Sequence, residues 1–109
     1  MVMGRLLILS VLFMFNSFAA GATPIVELEI KDHLFYPAEL VIPIETKVKV
    51  KISNNDPTAE EFESYELNRE KMIPGNSQAI IFIGPLKAGV YPFFGEFFPK
   101  TAQGKVVVK

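Results

Sequence analysis

Apolar and polar residues alternate along two segments of the chain. Residues 25–30 read IVELEI and residues 46–53 read TKVKVKIS, so that Val48, Val50 and Ile52 point to one side and the intervening lysines to the other. A period of two is typical of a β-strand that is buried on one face and solvated on the other. Both segments are therefore predicted to be half-buried strands.

Further short strands are predicted between turn-forming residues. The candidates are Leu40–Ile44, which Pro43 restricts to an edge or a strand end, the EFES segment at 61–64, Gln78–Ile83, Val90–Phe94 and Lys105–Lys109. Residues 65–77, YELNREKMIPGNS, stay ambiguous: their charges tolerate a helical turn, and Pro74-Gly75 ends any regular element. Short strands separated by Gly, Pro and Asn turns favour an antiparallel β-sandwich.

The first 22 residues differ in character from the rest. Arg5 precedes an apolar run at 6–15, and small residues follow it. This order is typical of a secretory signal peptide, and the run is shorter than the roughly 20 residues that a membrane span needs. We therefore expect a signal peptide at 1–22 and one small domain at 23–109, exported to the periplasm. An N-terminal membrane anchor is the alternative.

Composition excludes several kinds of chemistry. The chain of 109 residues has no Cys, one His and a formal net charge of −1. Without Cys there is no disulfide and no thiolate for nucleophilic, redox or metal chemistry. The nearly balanced charge gives no sign of the basic surface that a nucleic-acid-binding protein needs. Since no Ser-His-acid set, zinc pattern or phosphate loop is present, no enzyme is predicted. Ten Phe are expected to supply the core.

Three segments together resemble the cupredoxin family. They are FYPAELVIPIETKVKVKISNND at 35–56, AEEFESYELNREKMIPGNSQ at 59–78 and GPLKAGVYPFFGEFFPKTAQGKVVV at 84–108. More narrowly, they are similar to the cupredoxin-like domains that accompany bacterial ferrous-iron uptake lipoproteins and high-affinity iron permeases. The shared features are an F-x-P-x-x-L-x-I opening, an acidic-aromatic-acidic element at 61–63 and L-x-x-G-x-Y before the last loop. The resemblance implies an all-β, cupredoxin-like Greek-key β-sandwich over residues 23–109.

The resemblance also assigns positions for copper ligands. In blue-copper members the first His falls near Glu61, the Cys on Gly95, the second His on Phe98 and the Met near Ala102. A blue-copper site needs a thiolate, two imidazoles and a weak axial sulfur. This chain cannot supply them, so one-electron transfer through type-1 copper is excluded by composition.

The remaining candidate ligands are mainly acidic. Glu61 and Glu63 share one face of a predicted strand, and the last loop is expected to bring Glu96 to the same end of the sandwich. Carboxylates favour hard cations such as Mn²⁺, Ca²⁺ or Fe. His33 is a candidate fourth ligand, whereas Met72 is expected to fill the core rather than bind a metal. The alternative is that these glutamates are ordinary solvated charges after a turn.

The sequence therefore predicts a periplasmic accessory protein of iron or copper handling or transport. It would bind a copper or iron ion weakly and work beside a membrane iron permease or another uptake component, with no nucleic acid as a partner. The alternative is a metal-free degenerate cupredoxin that docks to another protein through the Phe97-Phe98-Pro99 corner.

Overall fold

Two β-sheets packed face to face make up the domain. The computed structural model describes residues 21–109, in which the regular elements are nine strands: β1 Ile25–Lys31, β2 Leu34–Tyr36, β3 Glu39–Ile42, β4 Val48–Asn54, β5 Glu60–Ser64, β6 Arg69–Ile73, β7 Ser77–Ile83, β8 Gly89–Gly95 and β9 Gln103–Val108. No helix in residues 21–109 has the length and hydropathy needed to cross a membrane. The predicted signal peptide lies outside the described residues, apart from Gly21 and Ala22.

The chain passes repeatedly between the two sheets. One sheet has the strand order β2-β1-β4-β7 and the other β3-β9-β8-β5-β6. The pairs β1–β4 and β3–β9 are parallel, and the remaining neighbours are antiparallel. The predicted all-β Greek-key sandwich is confirmed, whereas the expectation of a purely antiparallel sandwich is wrong for these two pairs.

The period-two segments form strands as expected. In β4 the apolar Val48, Val50 and Ile52 are fully buried, while Lys49 and Lys51 face outward. Strand β3 ends at Ile42, just before Pro43, and it is an edge strand, as the proline predicted. Strand β8 extends one residue further at each end than the predicted strand Val90–Phe94.

The segment at 65–77 that the sequence left ambiguous forms a turn followed by strand β6, and it contains no helix. Strand β6 pairs antiparallel with β5, which sets Met72 opposite Glu61 and Glu70 opposite Glu63. Ile73 is fully buried, so its neighbour Met72 faces outward and is 52% exposed. The expectation that Met72 fills the core is therefore wrong.

Three phenylalanines form the aromatic centre of the core. Phe93 lies 4.9 Å from both Phe35 and Phe62, measured between ring centroids. The other buried core residues are aliphatic. Phe82 and Phe97 lie outside the core and are 42% and 49% exposed. Among residues 21–109, the prediction that phenylalanines supply the core holds fully for these three rings and in part for Phe98, which packs against the core.

Candidate functional site

The loop before β5 is organised by one buried amide. Asn54 is fully buried, and its Nδ2 donates to the carbonyl oxygens of Thr58 (2.9 Å) and Ile73 (3.1 Å). Its Oδ1 accepts from the backbone N–H of Asp56 at 3.0 Å. These bonds fix where the loop ends and therefore which residues of β5 face the core.

Strand β5 divides its glutamates between its two faces. Glu60 points inward with Phe62 and is 1% exposed, whereas Glu61 and Glu63 point outward and are half-buried. Since successive side chains of a strand alternate, the two outward carboxylates share one face, as predicted. The inward carboxylate of Glu60 was not anticipated from the sequence.

The loop between β8 and β9 closes the sandwich beside the start of β5. The N–H of Gly95 donates to the carbonyl of Ala102 at 2.8 Å, and the N–H of Ala102 donates to Phe98 at 2.9 Å. The N–H of Glu96 donates to the carbonyl of Glu61 at 2.9 Å, which ties the loop to β5. The loop therefore brings together the positions that the resemblance assigns to copper ligands.

These positions do not fit a copper ion. Gly95, Phe98 and Ala102 offer no donor side chain, and the β5 residue that faces Gly95 is Glu60, one position before the expected one. A Cβ added at Gly95 would overlap Oε2 of Glu60 and lie 2.7 Å from the Cβ of Ala102. The carboxylate therefore takes up the space beside Gly95, where a ligand side chain would have to begin.

A cluster of carboxylates lies on the outer face of the β5–β6 hairpin. Ligand oxygens of Glu61, Glu63 and Glu70 all come within 4.8 Å of one another, and they are the one such group of three among residues 21–109. Glu96 is a charged neighbour of this group, as predicted, but does not complete it. Glu70 was missed because it lies in the segment that the sequence left ambiguous. A hairpin prediction for 60–73 would have set it opposite Glu63.

Crowding shifts the titration of two members of this cluster. Partial burial raises the pKa of Glu61, and the charge of Glu70, a hydrogen bond with Glu70 and the charges of Glu63 and Glu96 raise it further. Burial also raises the pKa of Glu63, and the charges of Glu70 and Glu96 add to the effect. Such a cluster suits a hard cation, which would neutralise the repulsion.

His33, the fourth predicted ligand, lies elsewhere. Its ring stacks on Phe98, and its Nδ1 is 3.6 Å from Oδ2 of Asp56. The buried carboxylate of Asp56 accepts the backbone N–H groups of Asp32 (2.8 Å) and His33 (3.0 Å). Burial alone would raise the pKa of Asp56, but these two hydrogen bonds and the charges of His33 and Lys31 lower it on balance.

An apolar depression adjoins the His33–Phe98 stack. It has a volume of about 400 Å³ and is lined by His33, Phe97, Phe98, Pro99, Lys100 and Thr101. Phe97 is 49% exposed here, whereas Phe98 packs partly against the core. Phe98 thus fills space in the loop, and Phe97 is the aromatic residue that the corner offers to solvent.

Known proteins with the same architecture include copper proteins. Auracyanin A, a blue copper protein of Chloroflexus aurantiacus, has a TM-score of 0.69 at 14% identity, covering 81% of this chain and 100% of its own. The metal-binding domain of the Cu(I)-exporting P-type ATPase CopA of Streptococcus pneumoniae has a TM-score of 0.61 at 17% identity, covering 82% and 99%. At these identities the likeness extends to the fold alone.

Sequence comparison gives the family. An uncharacterised protein of Rickettsia prowazekii (strain Madrid E) is 45% identical over 83 residues, which are 76% of this chain and 66% of that protein. The family model for the cupredoxin-like domain matches residues 4–108. The chain therefore belongs to the cupredoxin-like domain family.

Proposed function

We propose that this chain is a periplasmic accessory protein of metal handling that binds its cation on the outer face of the β5–β6 hairpin. The observation that carries the proposal is the convergence of Glu61, Glu63 and Glu70, whose ligand oxygens lie within 4.8 Å of one another. Oxygen-only ligands select hard ions, so iron is a better cargo than Cu(I). The partner would be a membrane iron permease or another uptake component.

The electrostatics of the cluster favour weak, reversible binding. The three carboxylates repel one another when metal-free, which is reflected in the raised pKa of Glu61 and Glu63. The site lies on a partly exposed surface, so water competes for the ion. A protein that transfers a cation to a transporter needs to release it, and an open carboxylate site is suited to that.

Thermal unfolding with and without added ions tests the proposal. A ligand that binds only the folded state stabilises it by about 2.7 kcal/mol at a hundredfold excess over Kd. We expect Fe²⁺ under anaerobic conditions and Mn²⁺ to raise the Tm of the wild type but not of Glu61→Gln/Glu63→Gln. The matched control is Glu45→Gln/Glu66→Gln, which removes two exposed carboxylates outside the cluster and should keep the shift.

Paramagnetic broadening by Mn²⁺ gives the position of the ion independently of stability. Amide signals of Glu61, Glu63 and Glu70 should broaden first. Broadening centred on His33 and Asp32, or no broadening and no Tm shift with any of the ions, would refute a cation site on this face.

The exposed ring of Phe97 favours a second function, that of a metal-free docking module. Phe97 lies beside Pro99 at the edge of the apolar depression, and solvent-exposed aromatic corners often contact partners. A photo-crosslinking residue introduced at position 97 would identify such a contact in the intact envelope. Crosslinks at 97 but not at Tyr65, which is more exposed than Phe97, would support docking at this corner.

A further inference from the structure

We propose that the carboxylate of Glu60 takes over the structural role of a metal ion at the end of the sandwich. It fixes the β8–β9 loop to β5 and closes the end of the sandwich to metal. The inference does not depend on the proposed cation site, because Glu60 faces the interior and the acidic cluster faces outward.

One oxygen of Glu60 joins two parts of the chain. Oε1 accepts the backbone N–H of Phe97 and the backbone N–H of Glu61, both at 2.9 Å. Glu61 begins the outward face of β5, and Phe97 lies in the loop after β8. A metal ion bound by side chains of β5 and of this loop would link the same two segments. Because Glu60 already links them, the loop can be ordered without a metal ion.

The other oxygen of Glu60 occupies the space that a ligand side chain would need. Oε2 is buried, and no hydrogen-bond partner reaches it in the described part of the chain. It lies against Gly95, where any Cβ would overlap it, and Ala102 is fully buried on the same side. A side chain at residue 95 would therefore have to displace the Glu60 carboxylate as well as crowd Ala102, which makes positions 60 and 95 sterically coupled.

A buried carboxylate with a free oxygen is costly for stability. In some proteins, buried polar groups of this kind fix one arrangement of the chain at a cost in stability. Glu60 fits that case, because its two hydrogen bonds set the positions of Phe97 and Glu61. The exposed ring of Phe97 and the neighbouring Glu96 are therefore held in place whether or not a metal ion is available.

Amide hydrogen exchange of the purified protein tests the role of Oε1. In EDTA the N–H of Phe97 should be protected, and adding Cu²⁺ or Zn²⁺ should leave its exchange unchanged. Glu60→Ala should speed exchange at Phe97 by at least about tenfold, as expected for losing a hydrogen bond to a carboxylate. Glu60→Gln should retain most of the protection, because the amide oxygen can accept the same two bonds.

Glycine substitutions test the steric coupling. Gly95→Ala should expose the Phe97 amide as Glu60→Ala does, since the new Cβ displaces the carboxylate. Gly89→Ala in the same strand is the matched control, because a Cβ there meets only the Tyr91 ring at an ordinary 3.6 Å. The effects of Glu60→Ala and Gly95→Ala on Phe97 exchange should be less than additive in the double variant.

Several results would overturn the proposal. Protection of the Phe97 amide that appears only when metal is added would mean that an ion, not Glu60, orders the loop. Unchanged protection in Glu60→Ala, or strictly additive effects with Gly95→Ala, would mean that the carboxylate is a passive filler. If Gly95→Ala does not fold, the comparison of Glu60→Ala with Glu60→Gln still decides the question.

Discussion

The imidazole of His33 lies flat on the ring of Phe98, with the ring centroids 3.6 Å apart and the planes inclined by 16°. His33 belongs to the turn between β1 and β2, which Asp56 holds by two backbone hydrogen bonds, and Phe98 belongs to the β8–β9 loop. The stack therefore joins two loops at one end of the sandwich. This end is held together by packing and by backbone hydrogen bonds to the carboxylates of Asp56 and Glu60. In a blue copper protein, bonds from side chains to the metal ion would connect such loops.

Replacing Phe98 by His should raise the affinity for Cu²⁺. The new imidazole would lie against His33, and imidazole nitrogens are good ligands for Cu²⁺. Calorimetric titration of the wild type and Phe98→His measures the change, for which we expect at least about a tenfold lower Kd.

The control for this prediction is Phe97→His. Residue 97 is exposed and does not stack on His33, so its substitution should change copper affinity little. None of these proteins should show the intense visible band of a copper–thiolate bond, because the chain has no Cys. Equal affinities for both variants would show that His33 takes no part in the site.

Neutralising the acidic cluster should stabilise the metal-free protein at neutral pH. The pKa values of Glu61 and Glu63 are raised in the folded state, so the folded protein binds more protons than the unfolded chain in the window above their ordinary range, near 4.3. The contribution of these two groups to stability is then most favourable below that range and declines as the pH rises through the raised values. Glu61→Gln/Glu63→Gln should have a higher Tm than the wild type at pH 7 and a similar Tm at pH 4.

Thermal unfolding across this pH range in EDTA checks the expectation. Glu66→Gln removes an exposed carboxylate that is not part of the cluster, and its Tm should follow that of the wild type at each pH. A double variant that is no more stable than the wild type at pH 7 would indicate that the three carboxylates are too well solvated to repel one another.

Substitution of Asp56 should destabilise the fold and remove part of its acid sensitivity. Burial by itself would raise the pKa of this carboxyl, but the hydrogen bonds from His33 and Asp32, together with the charges of His33 and Lys31, lower it on balance. Its stabilisation is therefore present above the ordinary Asp range, near 3.9, and is lost as the pH falls through the lowered value. Asp56→Ala leaves two backbone N–H groups without their acceptor, and we expect a loss of about 1–3 kcal/mol at pH 7.

Urea unfolding at pH 7 and at pH 3 measures this loss. The difference between Asp56→Ala and the wild type should shrink at the lower pH, because Asp56 takes up a proton in the unfolded chain at a higher pH than in the folded protein. Asp32→Asn is the control, because Asp32 contributes its backbone N–H and not its side chain to this network, and Asn tolerates the positive φ of 53° at this position. A difference that stays constant with pH would show that the carboxylate charge is unimportant.

Asn54→Ala should be among the most destabilising polar substitutions in the domain. The buried amide satisfies the carbonyl groups of Thr58 and Ile73 and the N–H of Asp56. Leaving buried groups unpaired costs about 1–3 kcal/mol for each group, although relaxation reduces the sum. The midpoint of urea unfolding should fall clearly, while the neighbouring exposed Asn55→Ala should change it little.

Part of the site could be predicted from the sequence because the relevant order is local. Glu61 and Glu63 share a face since any strand alternates its side chains, and the structure agrees. Glu70 escaped prediction because its place opposite Glu63 depends on the pairing of β5 with β6. The outward orientation of Met72 has the same origin, since burial of Ile73 decides which face of β6 points to the core.

The sequence by itself determined seven of the nine strands (all but β2 and β6), the all-β sandwich and the absence of a type-1 copper site. Alternation is read within a few residues, and the lack of Cys holds for any fold. The tertiary structure alone decided that Glu60 faces Gly95 and that His33 stacks on Phe98. Each of these pairs joins segments that are distant along the chain. Their approach depends on how the loop between β4 and β5, which Asn54 holds, and the β8–β9 loop pack. Such contacts leave no periodic pattern in the sequence, because they arise from the closure of loops and not from the repeat of a strand.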